Sequence, residues 1–227
     1  MEPFKFPGMS PQRIFLAGLL LYAALLAGAC KTSTPAPAQT PEHALSGLAA
    51  QHVVILPTYI VRVAPGLGWT LPRSIEVAHT QDVDIAAAFS DRGIRGWIYP
   101  SGLDSAYRRN PTYATDPHAL AEEPLRSPSL GGDERLPEPI ASQLRTIVAL
   151  HDDTRLVLAP VELRMEPMTG VGATRGGQGR GVLHLVLVDA RTSAVRWIGD
   201  VTSDPATAFG PSITASIASK LSAAIAP

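Results

Sequence analysis

This sequence of 227 residues lacks cysteine pairs, a large net charge and metal-binding motifs. Its one cysteine, Cys30, has no partner within the chain, so a fold held together by intramolecular disulfides is excluded. The formal net charge of −1 at pH 7 gives no electrostatic basis for binding nucleic acid. Paired-cysteine spacings and a His-Glu-x-x-His pattern are missing as well. The sequence therefore predicts no metal, no cofactor and no nucleic-acid partner.

The N-terminal segment has the three parts of a signal peptide. Residues 1–13 carry two basic side chains, residues 14–29 are uncharged, and small residues stand directly before Cys30. A helix over 14–29 spans only ~24 Å, short of the ~30 Å hydrocarbon core, so an uncleaved signal anchor fits poorly. A plain secretory signal cut after Ala29 is a second alternative, although it leaves an unpaired cysteine at the mature N-terminus.

The sequence LLAGAC at residues 25–30 resembles the lipobox of bacterial lipoprotein precursors. The resemblance implies cleavage between Ala29 and Cys30 and covalent lipid on the cysteine. Ala27 stands where lipoboxes more often carry leucine. Lys31 follows the cysteine, whereas an aspartate there marks inner-membrane retention in enterobacterial lipoproteins. We therefore expect an outer-membrane anchor, made by acyl chains, with the protein facing the periplasm.

Composition divides the chain into a leader, a tether and one domain. After the signal peptide (1–29), residues 30–47 are mostly Pro, Ala, Thr and Ser, which predicts a disordered tether behind the acylated cysteine. Residues 48–227 suit a single domain. Within it, 101–136 is rich in Pro and Gly and is predicted to be an irregular insertion, either a functional surface loop or partly disordered. Residues 166–181 are predicted to be a Gly-rich hairpin loop.

Hydrophobic periodicity predicts an α+β fold. Pro57, within the first predicted strand, suggests a bulge or a change of strand pairing. Helices between the early strands and hairpins later favour one mixed, mostly antiparallel sheet with helices packed mainly on one face. The predicted strands are 52–63, 94–100, 155–165, 181–190 and 195–201, and the predicted helices are 82–91, 137–151 and 211–225.

Residues 185–197 (LVLVDARTSAVRW) carry a second resemblance. They are similar to a hairpin of the curli-secretion-channel family and of the lipoprotein activators of penicillin-binding proteins, in which a small α/β domain follows a lipobox and a tether. Ser193 departs from the glycine usual in those families. The resemblance implies that Asp189 and Thr192 satisfy turn amides while Trp197 packs on the sheet. It supports a fold and leaves function open.

Histidines near acids are the remaining chemical candidates. His118 and Glu122 are four residues apart and would share a helical face, but two ligands fall short of a metal site. His151, followed by two aspartates, is interpreted as a helix end. His184 lies within a predicted strand and is expected to be half-exposed. No catalytic residue is predicted.

Aromatic and arginine side chains around the insertion predict a partner-binding surface, because such residues are usual interface anchors. For Trp97 a place in the core is an equal alternative. We expect a non-catalytic, membrane-anchored lipoprotein that binds an envelope protein or a cell-wall component. Alternatives are a subunit of an envelope pore, secretion or transport complex, and an envelope hydrolase. The predicted surface comprises Trp69, Trp97, Tyr99, Tyr107, Arg108, Arg109 and Tyr113.

Overall fold

Two long apolar strands, β3 and β4, form the centre of a mixed five-stranded sheet. The computed structural model describes residues 45–151, 154–168 and 177–227. The strands are β1 (Val53–Ile55), β2 (Ile60–Val63), β3 (Leu156–Pro167), β4 (Gly179–Asp189) and β5 (Ala194–Thr202); the α-helices are α1 (Ser74–Asp91), α2 (Pro100–Arg109), α3 (Ile140–Ala149) and α4 (Pro211–Ile225). The α+β class and the mixed, mostly antiparallel sheet predicted from the sequence are confirmed.

Strands β1 and β2 both run parallel to β3, one after the other along the same edge. The sequence predicted one strand over 52–63. Pro57 has no amide hydrogen for the ladder, and the chain leaves regular pairing between the two short strands. Opposite this break, β3 has an irregularity between Pro160 and Glu162. The expected effect of Pro57 on pairing is therefore observed.

The predicted strand over 94–100 is reduced to a single bridge between Val54 and Ile98. Two glycines with positive φ, Gly93 and Gly96, turn the chain on either side of Arg95. Pro100 then begins helix α2. Turn-forming glycines and an early helix start leave too few extended residues for a strand.

Helices α1 and α4 cover the first face of the sheet. Phe89 of α1, Ile217 and Leu221 of α4, and Leu183 and Leu185 of β4 are all buried in one cluster. Each such side chain contributes about 1.5–3 kcal/mol through removal from water. The two longest helices are therefore held on the sheet and on each other by a continuous apolar core.

Helix α1 begins at Ser74, eight residues before the predicted start. Its buried positions include Val77, Gln81 and Ile85, which are spaced four residues apart. Gln81 is fully buried and donates its side-chain amide to the Thr214 carbonyl of α4 at 3.4 Å. A polar residue at a buried position interrupted the apolar pattern, and this is why the sequence indicated a shorter helix.

The second face of the sheet is covered by α3 together with the segment predicted to be an irregular insertion. Leu103 lies in α2, and Leu120, Leu125 and Leu136 lie farther along; all four are buried with α3 and with the alternate residues of β3 and β4. The prediction that 101–136 is an irregular insertion is wrong for its first part, because α2 extends to Arg109. Much of this segment is a cover for the core.

The hairpin of β4 and β5 pairs in the predicted antiparallel sense. Ser193, at its turn, has φ of 58°, in the left-handed region that favours glycine. This conformation is a physical reason for glycine at this position in similar hairpins. Its hydroxyl accepts a hydrogen bond from Nη1 of Arg145 in α3 at 2.8 Å.

Several sequence predictions fall on residues outside the described ranges. The signal peptide and the lipidation site at Cys30 lie there, as does all of the tether up to residue 44. The predicted loop over 166–181 is shorter at both ends, since β3 reaches Pro167 and β4 begins at Gly179, and 169–176 are not described. Among the described helices, none has the length and apolar character needed to cross a membrane.

Candidate interaction surface

The structure separates the residues of the predicted surface into buried and exposed groups. Trp97 is only 6% exposed and meets Phe89 edge-on, with ring centroids 5.1 Å apart. It belongs to the core, which corrects its inclusion in the surface. Tyr99 is partly buried against the same ring, and burial raises the pKa of its phenol. These two aromatic residues stabilise the first face of the sheet and are not free anchors.

Trp69 lies apart from the other predicted residues. Its indole Nε1 donates to the Gly177 carbonyl at 3.0 Å, and its ring lies close to Gly179. Gly179 pairs with Pro167 at the far end of β3. Trp69 thus packs where the Gly-rich loop leaves the sheet.

The other predicted residues, Tyr107, Arg108, Arg109 and Tyr113, stay together at the C-terminal end of α2 and in the turn after it. Tyr113 is 79% exposed, the most exposed large hydrophobic side chain among the described residues. Both arginines are exposed, and neither forms an ion pair with an acid in the described part of the chain. We call these four residues the α2 surface.

Local sequence explains how the α2 surface is presented. Pro100 occupies the first turn of α2, where its missing amide hydrogen costs nothing. Leu103 and Ala106 are buried and fix the helix in place, Tyr107 is half-buried beside them, and the two arginines are exposed. Positive side chains in a last helical turn also interact favourably with the helix dipole. The basic residues are therefore compatible with a stable helix end.

A cluster of polar contacts holds the chain after α2 against the edge of the sheet. The Tyr59 hydroxyl donates to the Pro117 carbonyl at 2.9 Å. His118 pairs through Nε2 with Oδ1 of Asp104 in α2, also at 2.9 Å. The Asp116 carboxylate accepts the His118 amide at 2.9 Å. These contacts tie the turn after the α2 surface to both the sheet and the helix.

Asp82 of α1 reaches the same edge of the sheet. Its Oδ1 accepts hydrogen bonds from the Thr58 amide at 3.0 Å and from the Thr58 hydroxyl at 2.7 Å. Burial raises the pKa of the Asp82 carboxyl to about 6, even though both bonds and the nearby His79 and His118 lower it. Burial also raises the pKa of Tyr59, with Glu122 and Asp82 adding to it. The edge therefore contains a half-buried acid with a pKa raised to about 6.

The histidine candidates have structural partners. His118 and Glu122 do not share a helical face, because residues 116–119 form a turn with the Ala119 amide bonded to the Asp116 carbonyl. His184 is partly exposed, as predicted, and its Nδ1 pairs with Oδ1 of Asp200 at 2.7 Å. Within the described ranges, no three His, Cys, Asp or Glu side chains are placed to hold a metal ion.

Sequence reasoning missed the role of Asp82 and the linkage of Tyr59 to Pro117. Asp82 is the first residue of the predicted helix over 82–91, but it lies inside α1 and reaches Thr58, 24 positions away. Tyr59 and Pro117 are 58 positions apart. No local pattern encodes such pairs, because they exist only once the helix and the insertion pack on the sheet edge.

Comparison with known proteins adds little to this description. No protein-family model matches the chain, and no curated protein matches it in sequence. A point variant of PelC from Paraburkholderia phytofirmans, solved as a dodecamer, aligns at 16% identity with a TM-score of 0.37 over 85% of this chain and 94% of that chain. A second PelC dodecamer from the same organism gives 16% identity and a TM-score of 0.35 over the same shares. Scores this low carry no argument about function or assembly.

Proposed function

We propose that this protein is a membrane-anchored lipoprotein that binds an envelope protein or a cell-wall component without catalysing a reaction. The proposal combines a lipid anchor at Cys30 with a binding site on the domain. The anchor is supported by the sequence of residues 25–30 and its resemblance to a lipobox. The binding role is supported chiefly by the α2 surface, where exposed tyrosine and arginine side chains stand together on a fixed helix end.

The α2 surface has the composition of an interface centre. Tyrosine and arginine are enriched among residues that contribute most to binding, because each offers a large contact area and directional hydrogen bonds. The contacts from Tyr59 and His118 hold the adjoining turn in place before a partner arrives. A fixed surface loses less conformational entropy on binding than a mobile one. The binding proposal therefore depends on exposed tyrosine and arginine side chains that stand together on a fixed helix end.

The anchor is tested by metabolic labelling with palmitate and by membrane fractionation. We expect the wild-type protein to incorporate the label and to sediment with the outer membrane. The Cys30→Ser variant should lose both properties, since the serine oxygen cannot replace the cysteine sulfur as the acylated atom. Unchanged fractionation of the Cys30→Ser variant would contradict the anchor.

The binding surface is tested by photo-crosslinking in intact cells. A photoreactive amino acid replaces Tyr113, and in a matched control it replaces Ile75 of α1, which is 72% exposed. Because the two positions have similar exposure, random collision labels them equally. We expect a discrete adduct from position 113 that disappears when Arg108 and Arg109 are both changed to Gln. Identical adducts from both positions would argue against the α2 surface.

A further inference from the structure

A buried carboxylate with two arginines lies at the end of the β4–β5 hairpin. Asp189 is 0% exposed, although it precedes a surface turn. Its Oδ1 accepts the backbone amides of Arg191 and Thr192 at 3.2 and 3.3 Å. Its Oδ2 accepts Nε of Arg155 at 2.7 Å, Nη2 of the same residue, and Nη2 of Arg196 at 3.0 Å. Both oxygens are thus fully used within the protein.

The hydrogen bonds keep Asp189 ionised. Burial by itself raises the pKa of the carboxyl, but the bonds from Arg155 and Arg196 outweigh it and hold the pKa well below its ordinary value. The turn amides predicted from the sequence account for only one of its oxygens. The arginines at the other oxygen therefore need a separate explanation.

An irregularity in the β4–β5 ladder brings Arg196 to this carboxylate. Leu187 pairs with Trp197 and Val188 pairs with Val195, so Arg196 is the extra residue of a bulge. A bulge turns one side chain out of the normal alternation, and it is a frequent device for aiming side chains at a site. Arg196 and Arg155 consequently converge on one oxygen atom from different strands.

The two guanidinium groups are only partly used by Asp189. A guanidinium has five N–H donors, and the carboxylate takes two from Arg155 and one from Arg196. Both side chains are accessible to solvent, at 51% and 42% exposure. Two positive groups held on one negative oxygen repel each other, and a second anion would relieve that repulsion. Free donors and excess positive charge therefore coincide here.

An open surface cavity of about 450 Å³ is lined in part by both arginines. Its described lining is Gln51, His52, Arg155, Leu156, Asp189 and Arg196. Among these lining residues, Asp189 is the one acid, so the two arginines leave a formal charge of one positive unit when the histidine is neutral. We call this cavity the arginine pocket.

We propose that the arginine pocket binds the carboxylate of a small polar acid of the sugar-acid class. Planar guanidinium groups match a carboxylate in geometry, and its single negative charge balances the pocket. A phosphate dianion would bring more negative charge than the lining offsets. Gln51 also lines the pocket, and a glutamine amide can bond to hydroxyl groups on the body of such an acid. This site is independent of the membrane anchor and of the α2 surface.

Titration calorimetry of the full chain in detergent with glucuronate tests the site. Glucose serves as the uncharged comparison and inorganic phosphate as the competing anion. We expect glucuronate to bind at low salt, to weaken as sodium chloride is raised because the contact is ionic, and to bind better than phosphate. Glucose should give no heat of binding. The Cys30→Ser variant should bind glucuronate as the wild type does, which separates this site from the anchoring proposal.

Two arginine variants with the same change of charge complete the test. Arg196→Gln removes a donor of the pocket, and we expect it to weaken glucuronate binding by at least about tenfold, as for loss of a charge-assisted hydrogen bond. Arg191→Gln changes an exposed residue in the turn of the same hairpin that does not line the pocket, and it should bind as the wild type does. Circular dichroism verifies that both variants are folded.

Three results would overturn the assignment. They are absence of glucuronate binding to the wild type, equal binding of glucose or phosphate, and equal weakening by the Arg191→Gln and Arg196→Gln variants. Because the first two use the wild-type protein, they decide the question even if the Arg196→Gln variant fails to fold.

Discussion

Replacing Asp82 by asparagine should stabilise the protein, and should do so more strongly as the pH rises. Asparagine keeps an oxygen that accepts the amide and hydroxyl of Thr58 at the position of the present 3.0 and 2.7 Å bonds. It removes the negative charge and replaces the other carboxylate oxygen, which does not bond to Thr58, by an amide nitrogen. Since burial is the largest influence on this carboxyl and disfavours its charged form, the charge is the destabilising part of the interaction.

The size of the effect follows from the shift in pKa. The pKa of Asp82 rises from 3.8 to about 6 in the folded protein. The folded state therefore keeps its proton at a pH where the unfolded chain has lost it, and the free energy of unfolding falls as pH rises from 4 to 6. At 1.36 kcal/mol per unit, Asp82→Asn should gain about 1 kcal/mol over the wild type at pH 4.5 and about 3 kcal/mol at pH 7.5.

Urea denaturation followed by circular dichroism at four pH values between 4.5 and 7.5 measures this difference. Asp91→Asn serves as the control, because Asp91 is exposed at the end of the same helix and should change stability by less than about 0.5 kcal/mol. A gain for Asp82→Asn that is the same at every pH would refute the reasoning. So would a loss of stability at pH 7.5, which would mean that the charged bonds to Thr58 outweigh burial.

Two further substitutions test the packing of the domain. Gly181→Ala should lower the free energy of unfolding by about 1–3 kcal/mol, because the added Cβ would lie 2.6 Å from Cγ2 of Ile213 in α4. Gly132→Ala, in open space in a loop, should leave stability nearly unchanged, and equal losses in the two variants would contradict this account. Tyr59→Phe should cost about 1 kcal/mol by removing the bond to the Pro117 carbonyl, with faster amide exchange confined to residues 111–122. Faster exchange throughout the domain would instead indicate a general loss of packing.

Local signals in the sequence predicted much of the regular structure. Helix α4 was predicted at its observed bounds because Ile213, Ile217, Leu221 and Ile225 recur every four residues. The β4–β5 hairpin was predicted from two apolar runs around a short polar turn. In both cases the information lies within about fifteen consecutive residues.

Predictions failed where a local pattern competed with distant contacts. The insertion over 101–136 was expected to be irregular, because it contains several prolines and glycines and shows no clear hydrophobic periodicity. Yet Leu103, Leu120, Leu125 and Leu136 are all drawn into the second face of the core. From the sequence, Trp97 was equally compatible with the surface and the core. In the structure it packs against the ring of Phe89. Burial depends on what the rest of the chain leaves uncovered.

The sequence by itself determined the α+β class and the course of the long strands and of α4, because side-chain periodicity reflects the geometry of each element. The resemblance of residues 25–30 to a lipobox likewise depends only on neighbouring residues. Only the tertiary structure brought Arg155 and Arg196 onto Asp189, and Thr58 onto Asp82. These residues lie on separate elements, and strand register, a bulge and helix packing bring them into contact. Short-range sequence patterns do not encode such long-range contacts.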